Sequence, residues 1–174
     1  KEKHPAYRLI YDLMWSTGAR ISEVLALTPA SFRKDRHGLT VYLHTLRRNP
    51  GRPKKSNMLN LPERTIEIHD EVLIDRICCF IKAGHYRQKE HLFTMTRQTV
   101  NQHIFKLIEY ETDAPFIISS ITFRHSFAVH LLLNARPIES VAQVLGLRCI
   151  KSAEIYRHVF SGFTSNIMKG IEFH

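Results

Sequence analysis

Apolar residues recur at helical spacing through most of the chain. The first such stretch predicts a helix at residues 5–16, which Gly18 ends, and a short helix follows until Thr28-Pro29 stops it. The same spacing predicts further helices at 70–83, 96–110, 122–134, from Pro137 to Gly146, around 151–158 and at 164–172. The chain is therefore expected to be mostly helical.

Two stretches have a different pattern and predict strands. Residues 39–46 are rich in β-branched and aromatic side chains, and residues 56–61 form a second candidate strand. Proline, glycine and basic residues fill the turn at 49–55 between them. The predicted fold is mostly α with a small antiparallel β-hairpin or sheet, of the α+β class.

Composition fits one globular domain. The chain has 174 residues, of which 44% are hydrophobic, and we expect residues 1–174 to form a single domain. Its three cysteines, Cys78, Cys79 and Cys149, are odd in number and partly adjacent, which argues for reduced thiols in a cytosolic protein. No Cys/His spacing suits zinc, and no apolar run is long enough for a membrane span.

Positive charge is concentrated in one segment. Residues 33–55 contain eight lysines and arginines against the single acid Asp35, so they hold +7 of the formal net charge of +9. Such a concentration indicates a polyanionic partner, most simply nucleic acid. The alternative is an ordinary solvated loop.

A first candidate for chemistry is the box Thr17-Gly18-Ala19-Arg20-Ile21-Ser22-Glu23. Arg20 follows a glycine turn at the start of a helix, where backbone N–H groups already favour an anion. Its guanidinium would add a fork for two phosphate oxygens, and Glu23 could hold it in position. The alternative is an ordinary surface pair of Arg20 and Glu23.

A second candidate is Arg124, which lies in the apolar run of the 122–134 helix. A charged group there is costly unless it is paired, so Arg124 is expected to face a phosphate or a partner. We interpret the nearby His125 and His130 as packed, hydrogen-bonded core histidines.

Tyr156, 32 residues after Arg124, is the third candidate. The ordinary interpretation of one tyrosine among six is packing with a tethered hydroxyl. A phenol has a pKa near ~10, and two nearby guanidinium groups would favour its anion. Two arginines and a tyrosine suffice for attack on a phosphodiester by a phenol.

These boxes resemble the catalytic domain of the tyrosine recombinases, also called the phage integrase family. The first box is similar to the family pattern T-G-x-R-x-S-E, Phe123-Arg124-His125 to the second arginine box, and Ile155-Tyr156-Arg157-His158-Val159 to the nucleophile box. The likeness runs from about Tyr7 to about Phe160. It implies the tyrosine recombinase fold and site-specific DNA strand exchange through a 3′-phosphotyrosyl intermediate.

The resemblance also implies a role for each site residue. Arg20 and Arg124 would hold the phosphate, and Tyr156 would be the nucleophile. Counting back from Pro62, taken as the proline that closes the second hairpin strand, makes Lys54 the acid for the leaving group and Lys55 the next candidate. A phosphate-contacting lysine in a basic loop is the competing interpretation. Further contacts with DNA are assigned to the basic side chains Arg47, Arg48 and Arg52.

Two positions depart from the family pattern. A histidine usually lies three residues before the second arginine, where this chain has Ile121, and a histidine or tryptophan nine residues before the tyrosine, where it has Leu147. Neither side chain can donate a hydrogen bond. Arg148 or Ser120 could compensate; otherwise the chemistry would be slower than usual for the family, or absent.

The resemblance implies double-stranded DNA as the partner, a homo-tetramer on DNA, and no metal, nucleotide or other cofactor. Residues 161–174 are the candidate segment for exchange between subunits. The family's usual N-terminal DNA-clamping domain has no counterpart here. The expected setting is the cytoplasm, in association with the nucleoid, for a protein that is bacterial or carried by a phage or plasmid.

Two alternatives remain at this point. Residues 137–158 also resemble a helix-turn-helix, which would make the protein a DNA binder without enzymatic activity and Tyr156 a core residue. That interpretation leaves the Arg20 box and Arg124 unexplained. The other alternative is a recombinase-like domain that binds DNA and has lost cleavage.

Overall fold

A computed structural model describes residues 4–44, 63–109, 118–147 and 149–156. These ranges contain six helices and three strands, with short 3-10 turns at Pro29–Ser31 and Ile150–Ser152. The helices are α1 Pro5–Thr17, α2 Ile21–Leu25, α3 Glu71–Ala83, α4 Arg97–Glu109, α5 Ser120–Leu133 and α6 Ile138–Val144, and the strands are β1 Phe32–Lys34, β2 Leu39–His44 and β3 Glu63–Ile68. The prediction of a mostly helical domain with a small antiparallel sheet is confirmed.

Helix α1 begins and ends as its sequence predicts. Pro5 occupies its first turn, where a missing N–H is tolerated, and Gly18 ends it with a φ of 60°. A side chain at Gly18 would be strained at that φ, and its Cβ would collide with the ring of Phe127 on α5. Gly18 therefore lets the chain reverse tightly against α5 and enter α2, which carries the Arg20 box.

The sheet has the order β1-β2-β3, with both pairs antiparallel. The strand predicted at 39–46 is confirmed as β2, but its partner is β3, which pairs Leu39 with Ile68 and His44 with Glu63. The strand predicted at 56–61 lies outside the described residues. Pro62, from which Lys54 was counted, also lies outside the described residues.

The last predicted helices need adjustment. Helix α6 confirms the prediction after Pro137, but Ile150–Ser152 is a 3-10 turn, and regular helix resumes only at Ile155. The helix predicted around 151–158 is therefore wrong in its first part. The helix predicted at 164–172 lies outside the described residues.

Two hydrophobic clusters hold these elements together. The main core contains the buried faces of α1, α2, the sheet, α3 and α4, with side chains such as Leu9, Leu13 and Ile77 fully buried. The second core is smaller and consists of Ala128, Val141, Ala142, Leu145, Ala153 and Tyr156. Helix α5 takes part in both, because Phe123 packs against the main core and Ala128 belongs to the second.

Candidate active site

A cleft of about 690 Å³ opens where α2, α4, α5 and Tyr156 meet. It brings together the three residues that the sequence singled out, Arg20, Arg124 and Tyr156, although they are far apart in the chain. Its other lining side chains are those of Ile21, Ser22, Arg97, Gln98, Asn101, Gln102, Ser119, Ser120, Ile121 and His125. The cleft therefore combines three guanidinium groups with one phenol.

Arg20 is held by Glu23, as the sequence predicts. The backbone N–H of Arg20 donates to Glu23 Oε2 at 2.8 Å, and Nη1 of Arg20 donates to Oε1 at 3.0 Å. The Arg20 side chain stays 25% exposed, whereas the Glu23 side chain is fully buried. The carboxylate thus fixes one edge of the guanidinium and leaves the rest available to a ligand in the cleft.

Glu23 has a second partner, Arg64 of β3, which the sequence did not reveal. Nη1 and Nη2 of Arg64 donate to the two Glu23 oxygens at 3.2 and 2.7 Å. Burial raises the pKa of Glu23, but the hydrogen bonds and charges of Arg64 and Arg20 outweigh it and hold that pKa below its ordinary value. Nothing in the local sequence of β3 marks Arg64, because its partners are 41 and 80 residues away.

Arg64 and Arg124 satisfy successive carbonyl groups at the end of α6. Nε of Arg64 donates to the Val144 carbonyl at 2.8 Å, and Nη2 of Arg124 donates to the Leu145 carbonyl at 2.6 Å. The last carbonyls of a helix lack partners within the helix and carry partial negative charge, so cations are favourable there. Both arginines therefore tie the second core to the main core.

Arg124 is buried and paired, as its apolar surroundings predicted. It is only 6% exposed, and Nη1 donates to the Gly18 carbonyl at 2.7 Å. Burial and the nearby charge of Arg20 lower the pKa of Arg124 to about 10, which leaves it protonated at neutral pH. A guanidinium has several N–H donors, so those not bonded to the two carbonyls remain for a phosphate in the cleft.

Tyr156 belongs to the second core and also lines the cleft, and its hydroxyl lies next to Nδ1 of His125, another lining residue. Burial raises its pKa, and the charges of Arg124 and Arg20 oppose this shift without overcoming it. The two arginines favour the phenolate, as expected, but in the free protein burial outweighs their effect on the pKa. Tyr156 is a neutral phenol at neutral pH.

The structure also corrects the interpretation of two histidines as core residues. His125 is half-buried and lines the cleft, with Nδ1 at 3.1 Å from the Tyr156 hydroxyl. His130 is exposed, and Nδ2 of Asn134 lies 3.3 Å from its Nε2. A helical projection could have indicated His125, because positions 121, 124 and 125 share one face of α5.

The two positions that depart from the family pattern have different environments. Ile121 is 60% exposed and lines the cleft together with Ser120, so it lies where the usual histidine is expected. Leu147 is half-buried and packs against the second core. The absent donor at 121 therefore leaves an apolar side chain in the cleft itself.

Several predicted site residues lie outside the described residues. They are Lys54, Lys55, Arg47, Arg48, Arg52, Arg148 and the segment 161–174. In the ranges that are described, no group of three or more His, Cys, Asp or Glu side chains is arranged to hold a metal ion. In those same ranges, no helix combines the length and the apolar character needed to cross a membrane.

Comparisons with known proteins point to one family. The model of the phage integrase family matches residues 2–162. A probable site-specific recombinase in the afa region of Escherichia coli is 27% identical over 89% of this chain and 63% of its own length. The tyrosine recombinase XerD of Chlamydia pneumoniae is 30% identical over 90% of this chain and 50% of its own length. The chain thus spans between half and two thirds of the length of these relatives.

Solved structures share the fold. The post-cleavage complex of the XerH site-specific recombinase with a palindromic difH substrate has a TM-score of 0.71, with 18% identity over 96% of this chain and 48% of that one. The Tn1549 transposon integrase in complex with transposon right end DNA has a TM-score of 0.67, with 19% identity over 90% of this chain and 55% of that one.

Proposed function

Because this chain belongs to the phage integrase family, we propose that it cuts and rejoins DNA at specific sites through a covalent tyrosine–DNA intermediate. The observation that carries the proposal is the cleft that Arg20, Arg124 and Tyr156 line together. A phenol next to two guanidinium groups has the parts needed to attack a phosphodiester while its developing charge is stabilised.

The reaction follows from the roles of these groups. Arg20 and Arg124 bind the non-bridging oxygens of the scissile phosphate, which draws electron density from phosphorus. The Tyr156 oxygen attacks phosphorus, the 5′ oxygen leaves, and a 3′-phosphotyrosyl bond stores the energy of the broken bond. Lys54 remains the proposed acid that protonates the leaving oxygen. Attack by the 5′ hydroxyl of a second strand then reverses the step and releases Tyr156.

Double-stranded DNA is the proposed partner. The charge of +7 in residues 33–55 suits a polyanion, and Arg47, Arg48 and Arg52 are the proposed contacts with phosphate groups. The names of the relatives also support this choice, since the XerH recombinase and the Tn1549 integrase were solved with DNA. A tetramer on two DNA sites, with residues 161–174 exchanged between subunits, is the proposed assembly.

A second candidate function is DNA binding without cleavage. The observation that favours it is Ile121, which presents an apolar side chain to the cleft where the family usually has a histidine. The helix-turn-helix alternative is not favoured, because it gives no reason for Arg20, Arg124 and the Tyr156 hydroxyl to share one cleft. The recombinase function and the binding-only function predict different outcomes for one experiment.

That experiment uses nicked suicide duplexes with a randomised half-site, incubated with the full-length protein that carries this sequence. Cleavage next to the nick releases a short strand that cannot religate, so protein–DNA adducts that resist SDS accumulate. Sequencing the trapped DNA then gives the preferred site. We expect adducts from the parent protein and none from Tyr156→Phe, which keeps the aromatic ring and its packing.

DNA binding is measured in parallel on the same duplexes. Tyr156→Phe should bind with nearly unchanged affinity, because only the hydroxyl is lost. Binding by the parent protein without any adduct would support the binding-only function and overturn the recombinase proposal. An adduct from the phenylalanine variant would exclude Tyr156 as the nucleophile.

A further inference from the structure

The Tyr156 hydroxyl has a neighbour whose chemistry the proposed reaction has not yet used. Nδ1 of His125 lies 3.1 Å from the Tyr156 oxygen, and the two ring centroids are 5.5 Å apart at an interplanar angle of 56°. With the proton on Nε2, Nδ1 accepts the hydrogen bond that the Tyr156 hydroxyl donates. The contact joins residues 31 positions apart in the chain.

Attack by Tyr156 requires that its proton be taken up. The phenol is neutral in the free protein, because burial raises its pKa more than Arg124 and Arg20 lower it. Arginines can stabilise the negative charge that develops, but they carry their own protons and cannot accept another. The site therefore needs a neutral acceptor within hydrogen-bond distance of the tyrosine oxygen.

Ile121 cannot be that acceptor, although it occupies the position of the usual histidine. Ile121 and His125 are one helical turn apart on α5, and both line the cleft. The imidazole of His125 thus lines the same cleft as Ile121, from the next turn of α5. Arg124 lies between them in sequence and points its guanidinium toward Gly18 and Leu145.

We propose that His125 is the general base that takes the Tyr156 proton during cleavage and returns it during religation, an inference that rests on the proposed recombinase function. In cleavage, the bond between Oη of Tyr156 and its hydrogen breaks and the proton moves to Nδ1 of His125. The Oη–phosphorus bond forms as the bond from phosphorus to the 5′ oxygen breaks. The 5′ oxygen takes one proton from the leaving-group acid, and religation reverses each transfer.

The test measures single-turnover adduct formation on the nicked suicide duplex selected by the parent protein. His125→Gln keeps a hydrogen-bond acceptor but has no usable base, so the rate should fall on the order of 10²-fold or more. Exogenous imidazole should restore adduct formation by His125→Ala, which a merely structural histidine would not allow.

The matched control is His130→Gln, on the same helix with its imidazole exposed. It should keep the parent's rate, and all variants should keep the parent's DNA affinity. A His125→Gln protein that cleaves at the parent's rate overturns the role of His125 and leaves the recombinase function standing. An unrescued His125→Ala protein that still folds and binds DNA also overturns it. The absence of adducts from the parent protein overturns both proposals.

Discussion

The main core and the second core differ in size and in what they contribute to the cleft. The buried residues of the main core come from four helices and from strands β2 and β3, and this core carries Arg20 at the start of α2. The second core has six buried residues, three of them alanines, and it carries Tyr156. The proposed phosphate ligand Arg20 is thus built on the larger cluster and the proposed nucleophile Tyr156 on the smaller one.

Polar bridges join the two cores across the cleft wall. Arg124 bonds the Gly18 carbonyl on the main-core side and the Leu145 carbonyl on the second-core side. Arg64 bonds Glu23 on one side and the Val144 carbonyl on the other. The position of Tyr156 relative to Arg20 therefore depends on two guanidinium groups, one of which, Arg124, is also a proposed phosphate ligand.

The largest expected effect comes from breaking the bridge that also binds phosphate. Arg124→Lys keeps the charge but cannot span both carbonyls while holding a phosphate. Adduct formation should fall on the order of 10³-fold. Single-turnover cleavage of the suicide duplex measures this, with Arg76→Lys as the control, because Arg76 pairs with Asp12 at a partly exposed site. Equal losses in both variants would contradict a special role for Arg124.

The next prediction compares the same substitution, leucine to alanine, in the two cores. Leu13 and Leu145 are both fully buried, so each change to alanine leaves a void. Leu13→Ala should lower the free energy of unfolding by about 3–4 kcal/mol, and Leu145→Ala by about 2–3 kcal/mol, because the smaller cluster can collapse more easily. Denaturant titration measures both, and the exposed Leu133→Ala should cost under about 1 kcal/mol.

Cleavage should rank the two core variants in the opposite order. Leu145→Ala loosens the cluster that holds Tyr156, so it should slow adduct formation more than Leu13→Ala at a temperature where both remain folded. A slower Leu13→Ala protein would mean that the second core does not position the nucleophile.

Substitution of Glu23 tests how much its ion pairs with Arg20 and Arg64 contribute to the stability of the protein. Glu23→Gln leaves Arg20 and Arg64 without their carboxylate, which should cost about 3 kcal/mol of the free energy of unfolding at neutral pH. Because the folded pKa of Glu23 is depressed, its contribution is complete above its ordinary value of 4.5 and is lost as the pH falls through the folded value. The difference between parent and variant should therefore shrink below that pH. Asp12→Asn, at the partly exposed pair with Arg76, should cost at most about 1 kcal/mol.

Histidine substitutions at Ile121 and Leu147 should have different effects, because Ile121 lines the cleft and Leu147 packs against the second core. Ile121→His adds a donor in the cleft and should raise the cleavage rate by up to about 10²-fold with little change in DNA affinity. Leu147→His puts a polar ring against the second core, so it should lower stability without speeding cleavage. A gain from the Leu147 variant, measured in the same single-turnover assay, would show that this position faces the phosphate after all.

The smallest expected effect on the cleavage rate is that of chelating metal ions with EDTA. Guanidinium groups supply the positive charge in the cleft, and one phosphodiester is exchanged for another without a net hydrolytic step. Excess EDTA should therefore leave the single-turnover rate within about twofold. A strict requirement for Mg²⁺ would indicate a different nuclease chemistry.

Sequence alone determined the elements whose signals are local. Pro5, the apolar spacing and Gly18 defined α1, and the order of residues in the Arg20 box predicted the pairing of Arg20 with Glu23. These features depend on contacts within a few residues, where helical periodicity and capping fix the geometry. The resemblance then assembled the two boxes and the tyrosine into one site, and Arg20, Arg124 and Tyr156 do share a cleft.

Only the tertiary structure decided what depends on distant partners. Arg64 meets Glu23 across 41 residues, and His125 meets Tyr156 across 31, so neither contact leaves a pattern in its own segment. The pKa of Tyr156 also depends on the tertiary structure. Burial raises it and two guanidinium charges lower it, and both effects depend on how deeply the ring packs into the second core. Periodicity identifies which face of a helix is buried, but only the packed chain determines which side chain lies opposite that face.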